Sequence, residues 1–281
     1  MIMPSIKLNE SNWGQSMGPM ILLSNLAAAL ALMTVLWLLS VRLRDASVVD
    51  VFWGLGIVLV AWLTYARTDG FDGRRLLLAV LVTVWGLRLA GHILWRRRSH
   101  GEDRRYAAMR ATRGAAFWWQ SLFTIFLLQG FLQWLISLGV QLGIAAATPP
   151  SWTAWDLTGA ILWAAGFLFE TVGDTQLARF KRDPANHGQV MDRGLWRYTR
   201  HPNYFGEAVM WWGLFLIVLP TPHGPWTVLC PALMTFFLLR VSGVTLLEQD
   251  LSARRPGYRD YVARTSAFVP WPPRRRVRSE E

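Results

Sequence analysis

One cysteine, two lysines and no signature of a soluble nucleotide or metal enzyme set the first limits on this chain. A single thiol, Cys230, excludes an intramolecular disulfide, and its apolar surroundings lack the partners of a metal site, so packing is its expected use. There is no CxxC, no HExxH, no P-loop and no GxGxxG after a strand, which disfavours a zinc hydrolase, an NTPase and a Rossmann dehydrogenase. Acid is scarce as well: 18 Asp and Glu against 29 Lys and Arg leave a net charge of +11. No nucleic-acid motif accompanies that charge, so no nucleic-acid partner is expected. The basic residues sit in loops beside apolar runs and in the tail, where the positive-inside rule accounts for them.

What the chain does have is apolar length. Of its 281 residues 53% are hydrophobic and 17 are Trp, and the apolar residues fall in runs near the ~20 that span a bilayer core. The runs predict seven helices, at about 20–41, 48–66, 76–95, 116–146, 153–173, 204–220 and 226–247. The fourth run is long for one span and is interrupted by Gln120, Gln129, Gln133 and Gln141, so it tilts, breaks or continues past the bilayer. Residues 1–19 lack the basic start and small-residue cleavage site of a signal peptide and read as a short uncleaved leader. The Arg96–Arg113 segment carries seven Arg and reads as a cytoplasmic loop. Counting from it puts the amino terminus outside and the Arg179–Arg200 segment and carboxyl terminus inside. The expectation is therefore an all-α, multi-pass integral membrane protein in contact with membrane lipids, placed in a bacterial inner membrane.

The one dense polar run is His187–Glu207, HGQVMDRGLWRYTRHPNYFGE. If it is helical, Arg193, Arg197 and Arg200, at steps of four and three, share one anion-attracting face. Pro202 suits the first position of a new helix, whose free N–H groups favour phosphate or carboxylate. Asn203 and Glu207 follow one turn apart. Upstream, Glu170 and Asp174 are also one turn apart and lead into Lys181 and Arg182, a charged stripe open to two readings: a ligand site for hydroxyls and phosphates, or an ion network that holds the loop. Arg240 and Glu248, two turns apart, are placed to close the same site.

In the amino-terminal half, a mid-span charge costs about 2.5–3.5 kcal/mol on insertion scales, so three residues stand out. Asp50 opens the second helix, either as an interfacial carboxylate or as a functional acid. Arg88 and His92 share a face of the third, with snorkelling as the plain alternative. The tail, with Tyr258, Tyr261 and Phe268, is expected to fold back on the cytoplasmic face, and its four Arg between Arg274 and Arg278 either meet anionic headgroups or remain solvated.

GLWRYTRHPNYFGE, preceded by Asp174–Asn186 and followed by Glu248–Pro270, resembles the steroid 5-alpha-reductase family, in layout over roughly 45–273. The resemblance implies a seven-helix membrane bundle that holds NADPH on its cytoplasmic side and reduces a carbon–carbon double bond conjugated to a ketone, hydride going to the beta carbon. The substrate would be a lipophilic enone such as a 3-oxo-4-ene steroid. One domain, 1–281, would comprise substrate-side helices (48–113), a cofactor-binding part (166–270) and a basic tail (271–281). Carried over by position, Asp174, Lys181, Arg182, Arg193, Arg197, Tyr198, Arg200, His201, Asn203, Glu207, Arg240, Glu248 and Tyr261 become cofactor-binding residues, beside Glu170 from the stripe. The family polarises the ketone with an acid in its second helix and partners in its third. The matches here are Asp50 and His92, with His92 or Tyr106 standing in for a tyrosine absent from GLRLAGHILW. A buried Asp50 is expected to stay protonated and donate to the developing enolate. An isoprenylcysteine-type methyltransferase using S-adenosylmethionine shares RHPxYxG and is the alternative. The DTQLARFKRDPANHG block and the number of Arg favour the phosphate-rich cofactor. A sterol-binding protein without turnover is a third reading that leaves the basic cluster unexplained.

Overall fold

The computed structural model describes residues 18–97, 101–241 and 257–274. Among these residues the architecture is helical, with one strand-like contact, a parallel bridge between Thr199 and Ser266. The helices are α1 (Pro19–Leu43), α2 (Val48–Tyr65), α3 (Asp72–Arg97), α4 (Arg104–Arg113), α5 (Phe117–Ser121), α6 (Leu128–Ile136), α7 (Leu138–Ala145), α8 (Ala154–Arg182), α9 (Pro202–Val218), α10 (Leu229–Phe236) and α11 (Tyr258–Arg264). Among the described residues five stretches are long and apolar enough to cross a membrane: Pro19–Leu43, Val48–Tyr65, Asp72–Arg97, Arg104–Ile136 and Gly224–Val241. The chain is an integral multi-pass membrane protein. Helices also form at the two other expected spans, as α8 and α9.

One expectation changes and two sharpen. Arg104–Arg113 is a helix, α4, rather than loop. The long fourth run is continuous only in part: a π-helical stretch, Leu122–Leu127, separates α5 from α6, and Ser137 ends α6 before α7 begins. The charged stripe at Asp174, Lys181 and Arg182 is helical because α8 runs on to Arg182.

The chain folds as two compact units, residues 1–153 with 218–225, and residues 154–217 with 226–281. In the first, α2 and α3 pack at glycine: a Cβ on Gly54 would stand 3.0 Å from the Gly86 Cα. Trp53 meets Trp85 edge to face beside this contact, with centroids 6.2 Å apart. Apolar side chains gain little by leaving lipid for a neighbouring helix, so close backbones and polar contacts hold such bundles. The glutamines that interrupt the fourth run supply them. Gln133, fully buried, donates from Nε2 to the Phe52 and Trp53 carbonyls at 3.2 and 2.8 Å. Gln141 accepts from Asn25 Nδ2 at 2.9 Å, and the same amide donates to Thr64 Oγ1 at 2.8 Å, which joins α1, α2 and α7.

In the second unit α8 and α9 meet along two rows of glycine seven residues apart: Gly159, Gly166 and Gly173 on α8, Gly206 and Gly213 on α9. A Cβ on Gly206 would lie 2.5 Å from the Glu170 nitrogen and 2.6 Å from the Gly166 oxygen, so no larger residue fits without separating the helices. This register sets the spacing of Asp174 on α8 from Asn203 on α9.

Candidate functional site

Two polar clusters, one in each unit, hold most of the residues singled out by the sequence. In the first unit the chain leaves α1 through Arg44, in the left-handed region at φ 54°. The turn that follows is fastened from 56 residues away: Glu102 accepts from the Ala46 nitrogen at 2.7 Å, and the Asp103 nitrogen donates to Ser47 Oγ at 2.7 Å. Glu102 also accepts from Arg110 Nε and NH2, at 3.0 and 2.8 Å, and Arg97 pairs with Asp45. These contacts fix the start of α2 against α4.

On that frame the Tyr106 hydroxyl donates to Asp50 Oδ1 at 2.7 Å, Arg105 donates to Oδ2 at 3.2 Å, and Gln129 Nε2 donates to the Tyr106 oxygen at 3.4 Å. Tyr106 is 5% exposed and packs among Met33, Leu36, Val49, Phe117 and Phe126. Both Asp50 oxygens are thus engaged, Oδ1 by the Tyr106 hydroxyl and Oδ2 by the Arg105 guanidinium. His92 is not among its partners; its ring lies against Trp95, 6.1 Å between centroids. Arg105 is the member that sequence reasoning missed, because α4 was read as loop. The signal was available: Asp103 caps α4, accepting from the Arg105 nitrogen at 2.9 Å. Burial alone would lift the Asp103 carboxyl, but the side-chain and backbone hydrogen bonds from Arg105 and its positive charge hold it below the usual carboxylate range.

In the second unit Pro202 opens α9 as expected. Arg193, Arg197 and Arg200 do not share a helical face. Gly194 turns the chain at φ 58° against the Gln176 side chain, and only a short 3-10 turn, Gly194–Arg197, follows. Gln176 fastens that turn by accepting from the Leu195 nitrogen at 2.9 Å, and Trp196 Nε1 donates to the Gly173 carbonyl at 2.9 Å. The tail folds back onto the same segment. Arg200 NH1 donates to the Val262 and Thr265 carbonyls at 3.1 and 2.5 Å, Thr199 Oγ1 donates to the Phe268 carbonyl at 2.7 Å, and the buried Tyr261 hydroxyl donates to the Trp196 carbonyl. Burial pushes the Tyr261 hydroxyl pKa up. Arg200 and Tyr261 thus have a structural use that their spacing does not reveal.

Asn203 Nδ2 donates to Asp174 Oδ1 at 3.1 Å, which fixes the amide and leaves Asn203 Oδ1 buried with no hydrogen-bond donor among the described residues. Glu170, Asp174, His201 and Glu207 are buried, and His201 stacks on Tyr204 with centroids 5.6 Å apart. Lys181, Arg182, Arg193, Arg197 and Tyr198 are exposed, as is Arg240 in the π-helical stretch after α10. Glu248 lies outside the described residues. The described residues contain no group of three or more His, Cys, Asp or Glu able to hold a metal ion.

Fold and clusters define a multi-pass helical membrane protein with a half-buried carboxylate bonded to a buried tyrosine in one unit and a carboxylate–amide pair in the other. The chain belongs to the family described as protein of unknown function DUF1295, whose model matches residues 36–265. It is 26% identical over 298 residues to the uncharacterized protein C594.04c of Schizosaccharomyces pombe, covering 94% of this chain and 83% of that one. No solved structure matches.

Proposed function

We propose that this protein is a membrane-embedded, NADPH-dependent oxidoreductase that reduces a carbon–carbon double bond conjugated to a ketone in a lipophilic substrate, a 3-oxo-4-ene steroid being the first candidate. The observation that carries the reading is the Asp174–Asn203 pair. Asp174 fixes the Asn203 amide so that its oxygen is a buried acceptor without a donor among the described residues, the complement of a carboxamide N–H. The residues present fit the nicotinamide group in this respect. Exposed Lys181, Arg182, Arg193 and Arg197 suit its phosphates, and the buried carboxylates Glu170 and Glu207 suit ribose hydroxyls. When bound, the cofactor supplies hydride. The polar cluster at Asp50, where Tyr106 and Arg105 converge, is chemically suited to hold a carbonyl oxygen. In this reading the cofactor side faces the cytoplasm, following the arginine-rich segments.

The test is thermal stability of the detergent-purified protein with NADPH and, separately, with S-adenosylmethionine. NADPH at a hundredfold its Kd should stabilise by about 2.7 kcal/mol, and Asn203→Ala should weaken its binding at least tenfold. Stabilisation by S-adenosylmethionine alone overturns the reductase and supports a methyltransferase.

A further inference from the structure

The hydrogen bonds around Asp50 determine which group meets a ligand oxygen. Tyr106 has one hydroxyl proton to give and directs it to Asp50 Oδ1, 2.7 Å from the tyrosine oxygen, while that oxygen accepts from Gln129. A ligand oxygen can take that proton only by displacing the carboxylate. Asp50 accepts on both oxygens. Arg105 differs: Nε donates to Asp103 Oδ1 at 3.0 Å, and NH2 reaches Asp50 Oδ2 at 3.2 Å and Asp103 Oδ2 at 3.5 Å. Its NH1 arm, with two N–H groups, donates to nothing among the described residues. Carboxylates on two edges and the Tyr106 ring, 5.4 Å from the guanidinium carbon, hold the fork in place. The side chain remains 40% exposed although its Nε and NH2 are held by carboxylates.

We propose that Arg105 is the residue that hydrogen-bonds the carbonyl oxygen of the ligand bound at the Asp50–Tyr106 cluster, with Asp50 and Asp103 as the positioning residues that aim it. This deepens, and rests on, the reading of that cluster as the carbonyl end of the site. A fixed donor aimed where negative charge develops needs no reorganisation as the charge appears. The planar fork is essential: it contacts both carboxylates and still extends a free arm, which the single ammonium of lysine does not do.

The experiment uses the full-length protein in detergent and cyclohex-2-enone labelled with 13C at the carbonyl, titrated until its NMR shift saturates. Wild type should move the carbonyl resonance downfield, as hydrogen-bond donation does, and Tyr106→Phe should keep that shift. Arg105→Gln should lose it. Arg105→Lys, which keeps the charge beside both carboxylates, should lose it too and carries the test if the glutamine variant does not fold. An unchanged shift in the lysine variant, loss in Tyr106→Phe alone, or no shift in wild type overturns the proposal. The measurement needs no NADPH. An Arg105-dependent shift without NADPH binding would sink the reductase and leave this site standing, and NADPH binding with an Arg105-independent shift would do the reverse.

Discussion

Replacing Gly206 by Ala tests the backbone contact that sets Asp174 against Asn203. The added Cβ would meet the Glu170 nitrogen at 2.5 Å, the Gly166 oxygen at 2.6 Å and the Glu170 Cα at 2.9 Å. Carbon contacts are comfortable at about 3.5–4.0 Å, so relief requires α9 to move roughly 1 Å from α8, because backbone atoms cannot swing aside. Overpacking of this kind costs about 1–3 kcal/mol. Alanine recovers about 1 kcal/mol of helix propensity relative to glycine. Gly91, on α3, gives the matched control, since a Cβ there meets nothing within 4 Å. Gly91→Ala should therefore gain the propensity term alone, and the difference between the two variants isolates the clash at about 1–3 kcal/mol. At roughly 2–4 °C per kcal/mol, Gly206→Ala should melt about 2–12 °C below Gly91→Ala in a detergent thermal-shift assay. Equal melting temperatures would refute the contact and, with it, the claim that the glycine of RHPNYFG is there for helix approach.

Tyr261→Phe removes the donor to the Trp196 carbonyl. It should lower stability by about 1 kcal/mol and speed limited proteolysis within 187–201, measured by intact mass. For Asp103 the folded carboxyl lies below its ordinary value, so its contribution is present above a pH of about 4 and is lost as pH falls through the lower folded value. Asp103→Asn should melt below wild type at pH 6, and the gap should narrow in acid below pH 4, followed by tryptophan fluorescence. A gap independent of pH would remove the charge from the account.

Apolar run length made most of the membrane helices legible, because a bilayer leaves few alternatives to a long apolar helix. α4 escaped because a short helix of charged residues with one buried side chain, Tyr106, has no apolar run to announce it. The glutamines read as interruptions in the fourth run proved to be fasteners between helices, a role that depends on which carbonyls face them. Within the polar run, the spacing of Arg193, Arg197 and Arg200 suggested a helical face. Gly194 in the left-handed region and the Gln176 contact decide otherwise, and both depend on α8 lying alongside. Asp50 was legible as a charge in a span, and the resemblance left His92 and Tyr106 both open as its partner; the contact with Tyr106, 56 positions along the chain and beyond the whole of α3, follows from tertiary packing that spacing does not reveal.

The clasp of residues 257–274 on the polar run has a bearing on biosynthesis. Thr199, Arg200 and Trp196 find their partners at Phe268, Thr265 and Tyr261, so a ribosome that has just delivered α9 into the bilayer has made a motif whose hydrogen bonds do not yet exist. The segment waits, incompletely satisfied, until Tyr261, 43 residues past the end of α9, and Phe268, 50 past it, have been translated. Tags or truncations that disturb residues 257–274 should accordingly show their first effect on the conformation of residues far upstream.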